Sequence, residues 1–244
     1  EQADSLAWNP HKWMGTILDT TVFYVRDVDF LERVMSTNPA YLRSAADGKV
    51  TQYRDWGIPL GRRFRALKLW FHLRLDGPDA IRQRLRRDLE NARWFRDQVE
   101  AAENWEVVAP VELQTVCIRH VPVDSSGVPL SGDALDAHTL GWLEKINASG
   151  KAFMSPSVLD GRWIVRVSIG VEGTTREHVA RLWQLIRDAA ERNLVTPRPS
   201  VPGGPYTNLS NVRPRHRAAH FQTIIGCSLV PRSRRTLPRT SRPR

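Results

Sequence analysis

Apolar and polar positions along this chain change period several times, and each change marks an element. Ser5–Trp8 and Thr20–Tyr24 are short, largely apolar runs of strand length, with a turn containing Pro10, His11 and Lys12 between them. Asp27–Met35 predicts a short helix, with Asp27 placed to cap it. Ser36–Gly57 has no sustained period and reads as a long polar loop, a length that is usually functional or disordered. Arg62–Leu75 predicts a helix with Leu67, Trp70, Phe71 and Leu75 on one stripe, ended by Gly77-Pro78. Asp79–Ala101 predicts a longer amphipathic helix, with Ile81, Leu85, Leu89, Ala92, Phe95 and Val99 on its apolar face.

Beyond residue 104 the order of elements repeats. Trp105–Val108 and Thr115–Arg119 read as strands and Asp133–Ser149 as a helix. Phe153–Met154 and Trp163–Ile169 read as extended, and Thr175–Asn193 as a final helix. Three residues after Thr175 stands His178 rather than Glu or Gln, so no capping box is expected, although Glu177 suits the first turn of a helix dipole. This ββα–ββα order predicts a small α/β domain whose sheet is covered on one face. Trp70, Trp94 and Trp183 fall on expected core faces, which argues against a base-stacking platform.

Charge changes the picture at one end only. The 244 residues carry a formal charge of +10. Ten of the 36 basic residues lie from Pro197 onward, with no acid, so the preceding chain holds 26 of each sign. That tail also contains eight of the 16 prolines and reads as a disordered extension. A nucleic-acid or membrane arm and a frameshifted end are the alternatives it leaves open. Two distant cysteines, Cys117 and Cys227, form no disulfide framework and point to a reducing, cytoplasmic setting. No apolar run is long enough to span a bilayer.

The candidate chemistry sits in Asn9-Pro10-His11-Lys12-Trp13. A lysine held at a sheet edge by a short turn suits Schiff-base chemistry, in which a neutral amine attacks a carbonyl while its backbone stays anchored. A second block, Tyr53-Arg54-Asp55-Trp56-Gly57-Ile58-Pro59-Leu60-Gly61-Arg62-Arg63-Phe64-Arg65-Ala66-Leu67-Lys68-Leu69-Trp70, follows, with Tyr41-Leu42-Arg43 between the two. A third runs from Asn147-Ala148-Ser149-Gly150 to Trp163-Ile164-Val165-Arg166-Val167. His72, His120, His138 and His178 are isolated in the sequence and read as structural.

In this order and spacing, over residues 1 to 195, the blocks resemble the group II pyridoxal-phosphate-dependent amino-acid decarboxylases, the group of aromatic-L-amino-acid decarboxylase. The resemblance implies a type I fold, here incomplete: the end of a large cofactor domain over 1–103, with a catalytic loop at about 36–57, and a small C-terminal α/β domain over 104–195. It implies pyridoxal 5'-phosphate on Lys12, with His11 and Asn9 near the phosphate and neighbouring groups. Gly61 falls beside the substrate and cofactor, leaving room for a bulky ring, while Arg62 and Arg63 either bind an anion or pair with carboxylates elsewhere. Tyr41 falls where a loop phenol protonates the substrate's α-carbon, reaching into the partner subunit's site. Related aldehyde-forming enzymes carry phenylalanine there, so Tyr41 favours an amine product.

The resemblance further implies an aromatic amino-acid substrate and a homodimer. The residues that face the pyridine nitrogen, stack on the ring and cradle the phosphate have no match in this sequence, so the chain reads as the C-terminal part of a longer enzyme. An aldehyde synthase or other lyase on the same scaffold stays open, as does an inactive truncated chain or a tail-driven nucleic-acid binder.

Overall fold

The computed structural model describes residues 3–37, 39–42 and 44–195. The expected behaviour of the tail, and Cys227 with it, lies outside the described residues. Tertiary contacts divide the chain into two compact units, the first ending at Gln83 and the second beginning at Arg84.

The first unit is built on a hairpin. Strands β1 (Ser5–Trp8) and β2 (Val22–Val25) pair antiparallel, Ser5 opposite Val25 and Trp8 opposite Val22. Helix α1 (Val28–Met35) starts where Asp27 accepts the Phe30 amide at 2.8 Å, as its capping position predicts. The segment expected to be an irregular loop contains two 3-10 turns, Ala40–Leu42 and Tyr53–Trp56. Helix α2 (Ala66–Leu75) begins four residues later than the apolar stripe suggests. The arginines ahead of it suit a helix N-terminus poorly, and Arg65 turns its side chain to Asp19 instead.

One core expectation fails here. Trp70 is 53% exposed and Leu75 80%, and neither α1 nor α2 contains a fully buried residue. The described part of this unit offers a two-stranded sheet and no further layer, so the stripe has no core to enter. Trp70 packs edge-to-face on its neighbour Phe71 at 5.1 Å.

The second unit has a complete core. Helix α3 (Pro78–Glu100) precedes β3 (Trp105–Val107), β4 (Thr115–His120), α4 (Gly132–Ala148), β5 (Ser155–Leu159), β6 (Arg162–Ser168) and α5 (Arg176–Val195). The sheet is antiparallel in the order β3-β4-β6-β5. Val116 and Ile118 of β4 and Val165 and Val167 of β6 bury against Phe95 and Val99 of α3, Trp142 and Leu143 of α4, and Ile186 of α5. Each such side chain contributes about 1.5–3 kcal/mol by leaving water.

Two local expectations are corrected. Phe153–Met154 is not the strand; Asn147 captures both main-chain groups of Met154 at 2.9 Å, which removes them from the ladder, and pairing starts at Ser155. Asp160 and Gly161, both at positive φ, then close the β5–β6 hairpin. At the start of α5, His178 takes over the part of the missing glutamate: its Nδ1 accepts the Thr175 amide at 3.1 Å.

His120 and His138 are not isolated. His120 Nδ1 lies 2.9 Å from His138 Nε2, the two rings are 6% and 5% exposed, and Trp105 stacks on His120 at 4.5 Å. Burial lowers both side chains to about 4, helped at His120 by His138 and at His138 by Lys145. An unfolded imidazole titrates near 6.5. Below that pH the unfolded chain takes up protons that the folded rings refuse until about 4, so stability falls as the pH drops through this window. We predict a loss of about 2 kcal/mol per ring at about pH 5 relative to neutrality, read as faster amide exchange in β4. Exchange protection that stays level across this range would contradict the burial of neutral rings.

Candidate active site

The segment joining β1 to β2 folds back on itself around Lys12. The Lys12 amide donates to the Asn9 carbonyl, the Gly15 amide to the Lys12 carbonyl, and the Thr16 amide to the Pro10 carbonyl, each at 3.0 Å. Gly15 sits at φ 85, where a side chain would be strained. Pro10, Thr16 and Thr20 are buried beneath the turn, while His11 and Lys12 are half-buried above it. The main chain of Lys12 is thus bonded on both sides, and among the described residues no hydrogen bond or ion pair holds its side chain.

Two neighbours of the lysine brace the same turn against β2. The Thr21 hydroxyl donates to Asn9 Oδ1 at 2.6 Å. His11 Nδ1 lies 3.0 Å from the Thr20 amide nitrogen and 2.5 Å from its carbonyl oxygen. The first contact needs Nδ1 bare and the second needs it protonated, so either tautomer keeps the ring on Thr20.

The far side of the turn is tied to α2. Thr16 Oγ1 lies 3.2 Å from His72 Nδ1, and His72 Nε2 is 3.3 Å from the Asp76 carboxylate. Asp19 accepts from Arg65 at 3.1 Å and pairs with Lys68 at 3.3 Å. The hydrogen bond from Arg65 holds the Asp19 carboxyl far below the usual carboxylate range. The pairing of a helix-start arginine with a carboxylate is therefore real, but Arg65 makes it.

Tyr41 is carried separately, on the 3-10 turn Ala40–Leu42, and is 76% exposed. The loop around it is closed by Arg54, whose role the sequence does not reveal. Arg54 Nη1 donates to the Leu42 carbonyl at 2.8 Å and Nη2 to Asp47 at 3.1 Å, while Nε lies 3.8 Å from Asp55. Asp47 is held below its ordinary range, first by the Ser44 amide and then by Arg54. The base of the loop is pinned by Ser36 to Asp55 at 2.9 Å and by the Trp56 indole to Glu32 at 3.0 Å. The signal for Arg54 was present only as a position inside the second block, and no spacing rule singles it out.

The described residues therefore gather Asn9, His11 and Lys12 into one turn. Tyr41 occupies its own turn, and Gly61 lies in the bend ahead of α2, where an added Cβ would meet no heavy atom within 4 Å. Among the described residues nothing demands glycine at that point. Among the described residues no group of three His, Cys, Asp or Glu side chains could hold a metal ion, and no helix is long and apolar enough to cross a membrane.

The chain is similar to known proteins over most of its length. A family model described as the pyridoxal-dependent decarboxylase conserved domain matches residues 1–121. Tryptophan decarboxylase 2 of Oryza sativa subsp. japonica is 39% identical over 199 residues, covering 80% of this chain and 38% of that protein. Phenylacetaldehyde synthase of Arabidopsis thaliana is 38% identical over 192 residues, covering 78% and 38%. A crystal structure of Oryza sativa TDC with PLP and tryptamine superposes with a TM-score of 0.72 at 33% identity, over 79% of this chain and 40% of that one. The chain spans about two-fifths of the length of these relatives.

Arg54 gives the loop its shape, which can be tested without any ligand. Replacing it by methionine (Arg54→Met) removes the bonds to Leu42 and Asp47. Net hydrogen bonds from a charged group are worth about 1.5–3 kcal/mol each, enough to open the loop locally. Chymotryptic cleavage after Tyr41 and Leu42 is expected to rise by about tenfold or more on that scale, with the β4 amides equally protected. Unchanged cleavage would show that Arg54 does not hold the loop.

Proposed function

This chain belongs to the pyridoxal-dependent decarboxylase family, and on that premise we propose that the complete protein decarboxylates an aromatic L-amino acid to its amine. The observation that carries this reading is the doubly bonded turn presenting Lys12, paired with a tyrosine, Tyr41, on a separate exposed loop. Relatives named tryptophan decarboxylase and tyrosine decarboxylase support an aromatic substrate. Relatives named phenylacetaldehyde synthase support the aldehyde-forming alternative equally well by overall identity, so the choice rests on Tyr41.

The residues present suit pyridoxal phosphate. Lys12 offers an amine that no ion pair ties down among the described residues, and the turn beneath it cannot shift without breaking three main-chain bonds. When bound, the cofactor supplies an electron-accepting ring for the pair left by departing carbon dioxide. Lys12 would hold the cofactor through its side-chain amine. His11 and Asn9, braced on Thr20 and Thr21, form the wall beside it. Tyr41 Oη delivers a proton to the substrate's α-carbon, and solvent reprotonates the phenolate. Arg54 sets where that phenol is offered, and loop closure keeps water from the reacting carbon.

Residues 1–103 are assigned to the end of the cofactor domain and 104–195 to the small C-terminal domain. The complete protein is assigned to a homodimer in the cytoplasm, with the Tyr41 loop serving the neighbouring subunit's site. Upstream residues and a second subunit would cover the apolar stripe of α2.

Two substitutions in the complete protein test the reading. Tyr41→Phe is expected to lower amine formation by about 100-fold or more and to shift the product toward aldehyde, by product chromatography. Equal amine output from this variant would remove Tyr41 from the reaction. Lys12→Ala is expected to abolish the borohydride-fixed cofactor adduct seen by peptide mass spectrometry; an adduct on another residue would move the site elsewhere.

A further inference from the structure

The second unit contains a cavity of about 390 Å³ at the end of the sheet, within the usual range for small-molecule sites of about 300–1,000 Å³. His120 and Trp105 form part of its wall, with Glu103 on the turn before β3, Arg187 and Glu191 one turn apart on α5, and Val123. All of these residues lie within the second unit, so the cavity is complete without Lys12 or its turn.

A chain of hydrogen bonds sets the polarity of this wall. Asn193 Nδ2 is 3.3 Å from the His138 carbonyl and 3.3 Å from His138 Nδ1. An amide nitrogen can only donate, so His138 Nδ1 is bare and its proton sits on Nε2. His138 Nε2 therefore donates to His120 Nδ1 across 2.9 Å. His120, neutral in this apolar setting, keeps its own proton on Nε2, the ring nitrogen left for the cavity. Gly141 makes the relay possible, because a Cβ there would lie 2.9 Å from Asn193 Nδ2.

The cavity thus presents one N–H donor from His120 and one cation from Arg187. It also carries two carboxylates, Glu103 and Glu191. No ion pair among the described residues neutralises any of these three charges. A cavity lined both by these charged groups and by Ala102, Trp105, Pro122, Val123 and Leu194 suits a ligand bearing both signs of charge and an apolar remainder. A lone carboxylate would leave the glutamates unmatched, and a lone amine would leave Arg187 and His120 unmatched. We propose that this cavity binds a free α-amino acid with an apolar side chain, carboxylate toward Arg187 and His120 and ammonium toward Glu191 and Glu103. Such a site would let the level of an amino acid be read by the C-terminal domain, away from the lysine turn.

The test is calorimetric titration of the full chain with L-phenylalanine, 3-phenylpropionate and phenethylamine. L-Phenylalanine is expected to bind, and each analogue lacking one charge to bind about tenfold more weakly or worse. Arg187→Gln and Glu191→Gln, both on α5, should each weaken phenylalanine by about tenfold, while Arg181→Gln, on the same helix but outside the cavity, leaves it unchanged. Binding that survives both cavity substitutions overturns the proposal, as does binding that Arg181→Gln weakens equally, or no heat at all. Equal affinity for phenethylamine would also overturn it, by showing an amine site only.

Discussion

The role proposed for Lys12 needs a backbone that stays where it is while the side chain changes partners, and the turn from Asn9 to Thr16 is closed by main-chain bonds. Three amide-to-carbonyl contacts at 3.0 Å fix the peptide on either side of Lys12. None of them uses a side chain that the chemistry needs. The side chains of Asn9 and His11 then brace the turn to β2, and Thr16 and Asp19 brace it to α2. Removing one brace loosens the turn, but the main-chain closure remains, so the arrangement separates holding from reacting.

Much of this was legible in the residues. Asp27 announced its helix because a short acidic side chain before an apolar run has one obvious use, and it accepts the Phe30 amide as expected. The lysine turn was legible because two strand-length runs bracket it. The strand at Ser155 was not, since its start is decided by Asn147, a residue on the preceding helix that reaches across to Met154. The part His178 plays was not legible either, because the capping rule is framed around carboxylates, whereas what the Thr175 amide requires is a nearby lone pair. The stripe of α2 was correctly seen as apolar, yet periodicity shows only that a face is apolar, and says nothing about which segment covers it. Arg54 and the His120–His138 pair escaped because both depend on contacts between residues 12 and 18 positions apart, which no local pattern encodes.

The histidine pair also shows how a polar group can be kept in a core. A buried imidazole is costly unless each nitrogen has a partner of the right sense. Here the Asn193 amide sets the sense once, and every later bond follows from it. Trp105 stacks on His120, and Trp142 and Trp183 pack edge-to-face on Trp105; burial of both imidazoles strengthens the bond between them and makes a charged ring unwelcome. The acid sensitivity of this unit and the donor it offers to its cavity are two results of the same seclusion.

The order of the sheet has its own consequence. With β3 and β5 outermost, the four-stranded sheet has two open rims. β3 is only three residues long, and β5 carries Pro156, which has no amide hydrogen to lend. A strand arriving from a neighbouring molecule would find one rim too short and the other interrupted. The sheet is thereby blunted against growth into fibrils or stacked aggregates.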